Sequence, residues 1–384
     1  MEKRFDLIVV GAGIMGTFHA YHALEMGLRV ALLEKDSSPR GASVRNFGQV
    51  IPSGLAGRWF DFGCSSLDIY RTLKHTAGIQ VREQGSVYLA SDADEVQLLH
   101  ELQAHYDTKG YPCTLLSGNN LLKNYPFIRS SYAREALYFP QELSLEPERL
   151  LTQVHSYLKS RFPDFCLQFR SPVTRCFDSN SGATVTVHGA EWVADKVIIC
   201  NGAEVDLLFP ERFFAPGRQV CKLQMMRTHP NHKVALSGNI LTGLSIRRYE
   251  SFAHHCPSFP KLRPVQRYRT LQQHGIHLLF KQALDGSLLI GDSHRYAHPS
   301  QIATLGYSID LEVNELILQE ANRIVEIDLR RIASTWIGYY YLSTQTGIVE
   351  DAVSKNIYIR TGMGGKGMTT GIGYTLASLQ EIMN

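Results

Sequence analysis

"FDLIVVGAGIMGTFHAYHALEMGLRVALLEK", Phe5 to Lys35, decides how the rest of the chain is read. Leu7 to Val10 is a short apolar run that stops at a glycine, the pattern of a strand buried on both faces. Ile14 to Met26 follows at helical spacing and ends near Gly27. Val30 to Leu33 is a second buried strand, closed by Glu34 and Lys35. Strand, glycine turn, helix and strand make half of a doubly wound sheet. The turn is Gly11-x-Gly13-x-x-Gly16. Its first glycine makes the bend, the second lets a pyrophosphate approach the backbone, and the third packs helix on strand. Gly13, Ile14 and Met15 open a helix whose N–H groups and partial positive charge suit those phosphates. Glu34 stands at the strand end, where it can accept ribose hydroxyls.

A second glycine-rich loop lies far downstream. "TGMGGKGMTTG", Thr361 to Gly371, holds five glycines in eleven residues. It follows a strand at Ile357 to Arg360 and precedes a helix whose Ile372, Leu376, Leu379 and Met383 form one apolar stripe. Between the two loops, "VIICNGA" (Val197 to Ala203) reads as a buried strand ending in a small-residue turn. The triplet alone does not separate NAD from FAD. Three distant segments fit the longer cofactor better. A flavin accepting hydride gathers negative charge on its pyrimidine edge. A helix N-terminus with Lys366 beside it would stabilise that charge, and Gly364, Gly365 and Gly367 would allow close approach. The competing reading of the second loop is a flexible hinge.

Other segments differ in texture. A long helix is expected around Trp59 to Leu73, short β segments at Gln80 to Ala90, and a helix opened by Asp92 with Glu95 as its capping-box partner. Further helices are expected at Glu146 to Arg161 and Leu311 to Val325. Strands are expected at Val173 to Phe177 and Thr184 to Val187. Arg218 to Asp292 has a β-like texture, with "HLLFKQALDGSLLIGDSH" a hairpin turning at Asp285-Gly286. Nucleotide-fold elements thus recur at the start, middle and end, so two domains woven together are expected.

The 384 residues are 44% hydrophobic and 20% charged, with a formal net charge of +3, which is too mild to point to nucleic acid. Seven scattered cysteines with no CxxC indicate neither a disulfide framework nor a zinc knuckle. The apolar start is too short for a membrane span. A reducing cytoplasmic setting, a monomer or homodimer, and no metal are expected. His229/His232 and His294/His298 have ligand-like spacing, but Pro230 and Pro299 argue against helices there.

These motifs, with "GASVRNFGQV" (Gly41 to Val50) and "TWIGYYY" (Thr335 to Tyr341), resemble the D-amino-acid oxidase, glycine oxidase and sarcosine oxidase family of FAD enzymes, nearly end to end. The resemblance implies an α/β fold: a Rossmann-like FAD domain (1–86, 143–208, 325–384) interwoven with an α+β substrate domain on an antiparallel sheet (87–142, 209–324). It implies that Gly11, Gly13, Ile14, Met15 and Gly16 hold the pyrophosphate, and Glu34 and Lys35 the adenosine end. Ser43, Asn46, Val173 and Gly202 would line the cofactor. Gly364, Gly365, Lys366, Gly367, Met368 and Thr369 would wrap the flavin. The activity implied is oxidation of a C–N bond of a small amine by hydride transfer to flavin N5, with oxygen or another acceptor taking the electrons.

The departures matter as much. Many relatives carry an arginine in the tryptophan–glycine motif to clamp a substrate carboxylate; here the position matches Tyr340. Positions of covalent flavin attachment in relatives match Gly338 and Arg45, so non-covalent FAD is expected. The lysine used to activate oxygen in sarcosine-oxidising relatives matches Leu289. Substitute anchors are Arg45, Arg247, Arg248, Tyr249 and Tyr340, with at most one of the adjacent arginines facing the pocket if they lie on a strand. His294, Lys366 and Tyr340 are the expected catalytic side chains. Arginine, histidine and tyrosines would suit a tetrahedral dianion, and the sequence also resembles a subgroup found alongside phosphonate breakdown genes, so an N-alkyl amino acid or N-methyl aminophosphonate is the expected substrate. Alternatives are a dehydrogenase with a non-oxygen acceptor, a dinucleotide-binding protein without turnover, and an NAD enzyme.

Overall fold

The computed structural model describes residues 3–384. Strand Lys3–Val10 sits at the centre of a sheet, parallel to Val30–Leu33 on one side and Ala190–Ile199 on the other. Phe165–Gln168 extends the parallel run past Val30–Leu33. Beyond Ala190–Ile199 the edge divides. Its first half pairs antiparallel with Gly182–Val187, and its second half pairs parallel with Ile357–Thr361. Leu7, Ile8 and Val9 are fully buried, as a strand covered on both faces requires.

The second sheet has eight strands, in the order 332–343, 218–228, 288–297, 279–282, 239–241, 86–90, 135–139 and 114–117. All its pairings are antiparallel except that of Asn239–Leu241 with Ser86–Ala90. The architecture is therefore mixed α/β, with a parallel-cored sheet and a largely antiparallel one. Strand Ile332–Ser343 corrects the boundary placed at 325: it pairs along its length with Arg218–Thr228 and belongs to the second sheet.

The β-like texture expected between 218 and 292 holds for four strands but not for the whole span. Helical turns interrupt it at Gly243–Ile246, Glu250–His255 and Tyr268–Gln273. The first is closed by a capping box, with Thr242 accepting from the Ser245 amide and Ser245 from the Thr242 amide. Short apolar runs of this kind fit a strand or a buried helical turn equally well. The hairpin does form between Leu279–Gln282 and Leu288–Ala297, with Gly286 in the left-handed region at φ 84.

The helices of the two glycine loops lie against each other. Ile14–Glu25 follows the first loop and Gly367–Met383 the second. His22 Nε2 lies 3.1 Å from the Ile372 carbonyl, and His19 Nε2 lies 3.1 Å from Ser378 Oγ. The second helix also packs on Arg58–Thr76. A Cβ on Gly373 would stand 2.3 Å from the Phe62 carbonyl oxygen, and the Gly373 amide donates to Ser66 Oγ at 3.0 Å.

Candidate active site

Two cavities meet inside the molecule. The larger, about 470 Å³, begins at Glu34, Lys35 and Val173 and passes Gly11, Gly13, Ile14, Met15 and Ser43. It continues by Gly202 to Gly364, Gly365, Gly367 and Met368. The smaller, about 350 Å³, lies under the second sheet. The two share Asn46, Tyr340, Gly364, Gly365 and Met368 as common wall.

Backbone makes most of the larger cavity. Gly11 has φ 97, and a Cβ there would stand 2.5 Å from the Cys200 carbonyl oxygen. Gly16 lines neither of these cavities, which corrects its direct role: a Cβ there would sit 1.8 Å from the Gly11 carbonyl oxygen, so it serves the packing of helix on loop. Gly13 caps the helix without a side chain, and Ser43 Oγ accepts the Ile14 amide at 2.9 Å. Glu34 holds the loop from below: Oε2 accepts from the Ala12 amide at 2.9 Å and Oε1 from the Asp36 amide at 3.0 Å. Each oxygen keeps a lone pair for a hydroxyl donor. Asn46 is consumed locally, donating to the Ala42 and Ser43 carbonyls and accepting from the Gly48 amide. It shapes the loop through these bonds.

Arg45 donates to the carbonyls of Arg40 and Ile337, so its guanidinium grips backbone. A Cβ on Gly338 would meet Arg45 Cβ at 3.0 Å, so the two positions matching flavin-attachment sites pack side by side in the wall of the larger cavity. Cys200 is the one cysteine lining that cavity among the described residues, and burial raises its thiol.

Side chains make most of the smaller cavity. Arg248, Tyr249, Glu250, His277, Asp292, His294, Tyr296, Lys366 and Thr369 all line it. The adjacent arginines divide because they end a helical turn and point apart. Arg247 lines neither cavity, correcting its role as an anchor. Its side chain, 7% exposed, donates to Glu95 and Asp92, both at 2.7 Å. Burial pulls its guanidinium down, and the two carboxylates outweigh that and hold it above its ordinary value. Glu95 thereby leaves the expected capping box: it accepts from the Ser91 amide and hydroxyl and from Arg247, while Asp92 caps the helix by accepting from the Glu95 amide. Arg248 stands at the cavity mouth and donates to the Tyr296 hydroxyl at 3.1 Å.

Lys366 and Thr369 are corrected likewise. Neither lines the larger cavity. Lys366 Nζ lies 2.6 Å from Glu250 Oε1 and 4.9 Å from the centre of the Trp59 ring, because the short turn Gly364–Lys366 carries it outward toward helix Glu250–His255. Thr369 Oγ1 accepts from the Ile51 amide at 3.2 Å. Tyr340 faces opposite to its neighbours: Tyr341 reaches the Phe213 carbonyl and Tyr339 that of Gly306, while Tyr340 reaches the Arg45 carbonyl at 3.4 Å. Leu289 pairs across the hairpin with Lys281, whose buried ammonium is held by the Leu145 carbonyl and Glu146 and lines neither cavity. Burial pulls that ammonium down to about 8.

Sequence reasoning missed Asp292 and His277. Asp292 and His294 lie two apart on one strand and so share a face. His277 and Asp292 exchange both backbone hydrogen bonds, which puts them opposite each other. The alternation in "GDSH" and the turn at Asp285-Gly286 carried that signal. Among the described residues, no group of three or more His, Cys, Asp or Glu side chains is placed to hold a metal ion, and no helix is long and apolar enough to cross a membrane.

The family model for FAD dependent oxidoreductases (DAO) matches residues 6–378. Monomeric sarcosine oxidase of Streptomyces avermitilis is 25% identical over 210 residues, covering 53% of this chain and 53% of that protein. The chain thus spans about half the length of the curated relatives it matches. Among solved structures, glycine oxidase from Bacillus cereus has a TM-score of 0.77 at 18% identity, over 99% of this chain and 95% of that one. L-proline dehydrogenase from P. horikoshii has a TM-score of 0.80 at 17% identity, over 99% and 94%. Such likeness shows the shared fold, and the family match covers nearly the whole chain: the protein belongs to the DAO family of FAD dependent oxidoreductases.

Proposed function

We propose that the protein oxidises a C–N bond of a small amine that also carries an anionic group. The observation that carries this reading is the wall shared by the two cavities. A ring lodged at Gly364, Gly365 and Tyr340 in the larger cavity would face whatever fills the smaller. FAD suits the larger cavity: Glu34 would take the adenosine ribose, the Gly13 to Met15 helix start the pyrophosphate, and Gly364 and Gly365 the flavin edge. When bound, FAD supplies a two-electron acceptor that takes hydride at N5. With Gly338 and Arg45 at the matching positions and the Cys200 thiol raised by burial, the fit favours non-covalent binding.

The smaller cavity would hold the amine. Arg248 and Tyr296 at its mouth offer a cation and a hydroxyl to the substrate's anion, and Lys366 adds a second positive charge, shared with Glu250. Tyr340, buried at the junction, would press the reacting carbon toward the flavin. Its ring replaces the arginine clamp of relatives, so the anion is bound at the mouth rather than beside the flavin. That geometry leaves room for a tetrahedral group. An N-methyl aminophosphonate is the specific substrate we propose, with an N-alkyl amino acid as the carboxylate counterpart. Sarcosine oxidase, glycine oxidase and N-methyl-L-tryptophan oxidase among the relatives bear names consistent with the N-alkyl and amino acid classes.

The test is a panel of amines, amino acids and aminophosphonates read by flavin bleaching without oxygen. N-methyl-2-aminoethylphosphonate is expected to bleach fastest. Bleaching by sarcosine or glycine that is equal or faster sinks the phosphonate assignment; no bleaching by any amine sinks the enzyme reading. A second reading is favoured by Lys281, the hairpin's lysine, being held away from both cavities: the electrons would pass to an acceptor other than oxygen. Slow reoxidation of the reduced protein in air would support it.

A further inference from the structure

The wall of the smaller cavity holds two buried polar side-chain atoms close to each other. Asp292 Oδ1 lies 3.6 Å from His294 Nδ1 and 3.7 Å from His277 Nδ1. The Asp292 side chain is 9% exposed, and neither its Oδ1 nor His294 Nδ1 has a hydrogen-bond partner. Buried polar atoms are nearly always paired, so an unpaired couple at this distance in a ligand cavity asks for a proton from outside.

We propose that Asp292 and His294 together take the proton from the substrate's ammonium group, which makes them catalytic residues of the reaction proposed above, on which this inference rests. The N–H bond breaks, its electron pair stays on nitrogen, and the proton lodges between Asp292 Oδ1 and His294 Nδ1. The amine is left with the lone pair it needs to form C=N. An amine arriving at neutral pH is an ammonium ion, whose ordinary pKa lies near 10, and in that form it has no lone pair to give. A carboxylate at the end of the cavity first attracts the cation and then accepts its proton.

Several titratable groups surround the pair. Facing Asp292 are His277 and His294 from the hairpin, Arg248 and Tyr249 from the turn above, Cys221 and Tyr340 from the neighbouring strands, and Tyr296 at the mouth. Burial lowers His294 to about 4 and lowers His277 as well, so both rings are neutral before substrate enters. Burial raises the Asp292 carboxyl while His294 and Arg248 draw it down. His277 is fixed from behind, its Nε2 lying 2.9 Å from Ser245 Oγ, which makes it a positioning residue.

The test uses the holoenzyme and the isosteric variant Asp292→Asn. The rate of anaerobic flavin bleaching by the best amine is followed from pH 6.5 to 10. The wild type is expected to vary little above pH 7. The variant is expected to lose about tenfold per pH unit below the amine's own pKa, to be roughly 100-fold slower near pH 7.5, and to recover at pH 10. A loss of the same size at every pH, or an unshifted profile, overturns the inference. A second arm needs no turnover: calorimetry with 2-methylalanine and its phosphonate counterpart, which have no hydrogen on the amine-bearing carbon, in buffers of differing ionisation heat. Wild type is expected to bind without releasing a proton to buffer, and Asp292→Asn to release about one. Equal release by both proteins overturns the inference alone. No binding of either compound, with no bleaching by any amine, overturns the parent reading with it.

Discussion

The two cavities are built from different materials. The larger is largely a backbone construction, in which glycines, helix starts and the Glu34 carboxylate meet because strands and loops must pass within a Cβ of each other. The smaller is a side-chain construction, in which Arg248, His277, Lys366 and the pair Asp292 and His294 arrive from different turns and strands. A cofactor common to many reactions can be held by geometry that any sequence must satisfy in the same way. A substrate is selected by side chains that can change singly without disturbing the fold.

That contrast can be broken most severely at Gly16. Gly16→Val places carbon 1.8 Å from a backbone oxygen that cannot retreat, and the expected result is no yellow holoprotein, read as absorbance near 450 nm against protein. Full cofactor content would show that the glycine loop yields and is not a rigid element. Next is Arg247→Met, which leaves Glu95 buried without its cation. A stability loss of about 3–5 kcal/mol by denaturant titration is expected, with the KM for the best amine unchanged. A raised KM at unchanged stability would return Arg247 to the substrate site.

Its neighbour should behave in the opposite sense. Arg248→Met is expected to lower kcat/KM by about 100-fold, roughly 2–3 kcal/mol, mostly through KM, with stability and flavin content close to wild type. The effect should shrink for amines lacking an anionic group, because the lost contact is to that group.

The smallest effect concerns acid. His155 lies beneath the first glycine helix, its Nε2 2.8 Å from Thr17 Oγ1, and burial lowers it to about 4. Folded, it stays neutral; unfolded, it takes a proton below about 6.5. Stability therefore falls as pH drops from about 6.5 toward 4, by up to ~1.4 kcal/mol per pH unit for this one group. His155→Gln should lose that slope, seen as a flatter dependence of Tm on pH. An unchanged slope would place the acid sensitivity elsewhere, with the buried His19 and His22 as the next groups to replace.

The same division explains what could be read without coordinates. The first sheet was legible because each of its demands leaves a local mark: a run of buried residues, a glycine at a bend, an acid at a strand end. The residue at 325 misled because a strand's partner is not written in the strand itself. Ile332–Ser343 reads alike whichever sheet it joins, and only its pairing with Arg218–Thr228 decides. Arg247 and Arg248 could not be separated because the short helical turn that aims them is held by Thr242 and Ser245 and not by periodicity. Lys366 followed the right loop but points to Glu250, a partner 116 positions earlier in another element. Asp292 and His277 needed the hairpin register, which the turn supplied but composition did not.

The packing of the first helix on the last one described has a consequence for how the protein is made. His22 and Ile372 touch, yet 350 residues separate them. At ordinary elongation rates of about 5–20 residues per second, a ribosome needs roughly 20 to 70 s to join the two. Throughout that interval the emerging chain displays the face of helix Ile14–Glu25 that Gly367–Met383 will later cover, and the flavin end of the larger cavity has no floor. Assembly of the cofactor site is thus tied to the synthesis of Gly367–Met383, whatever part of the site has formed before it.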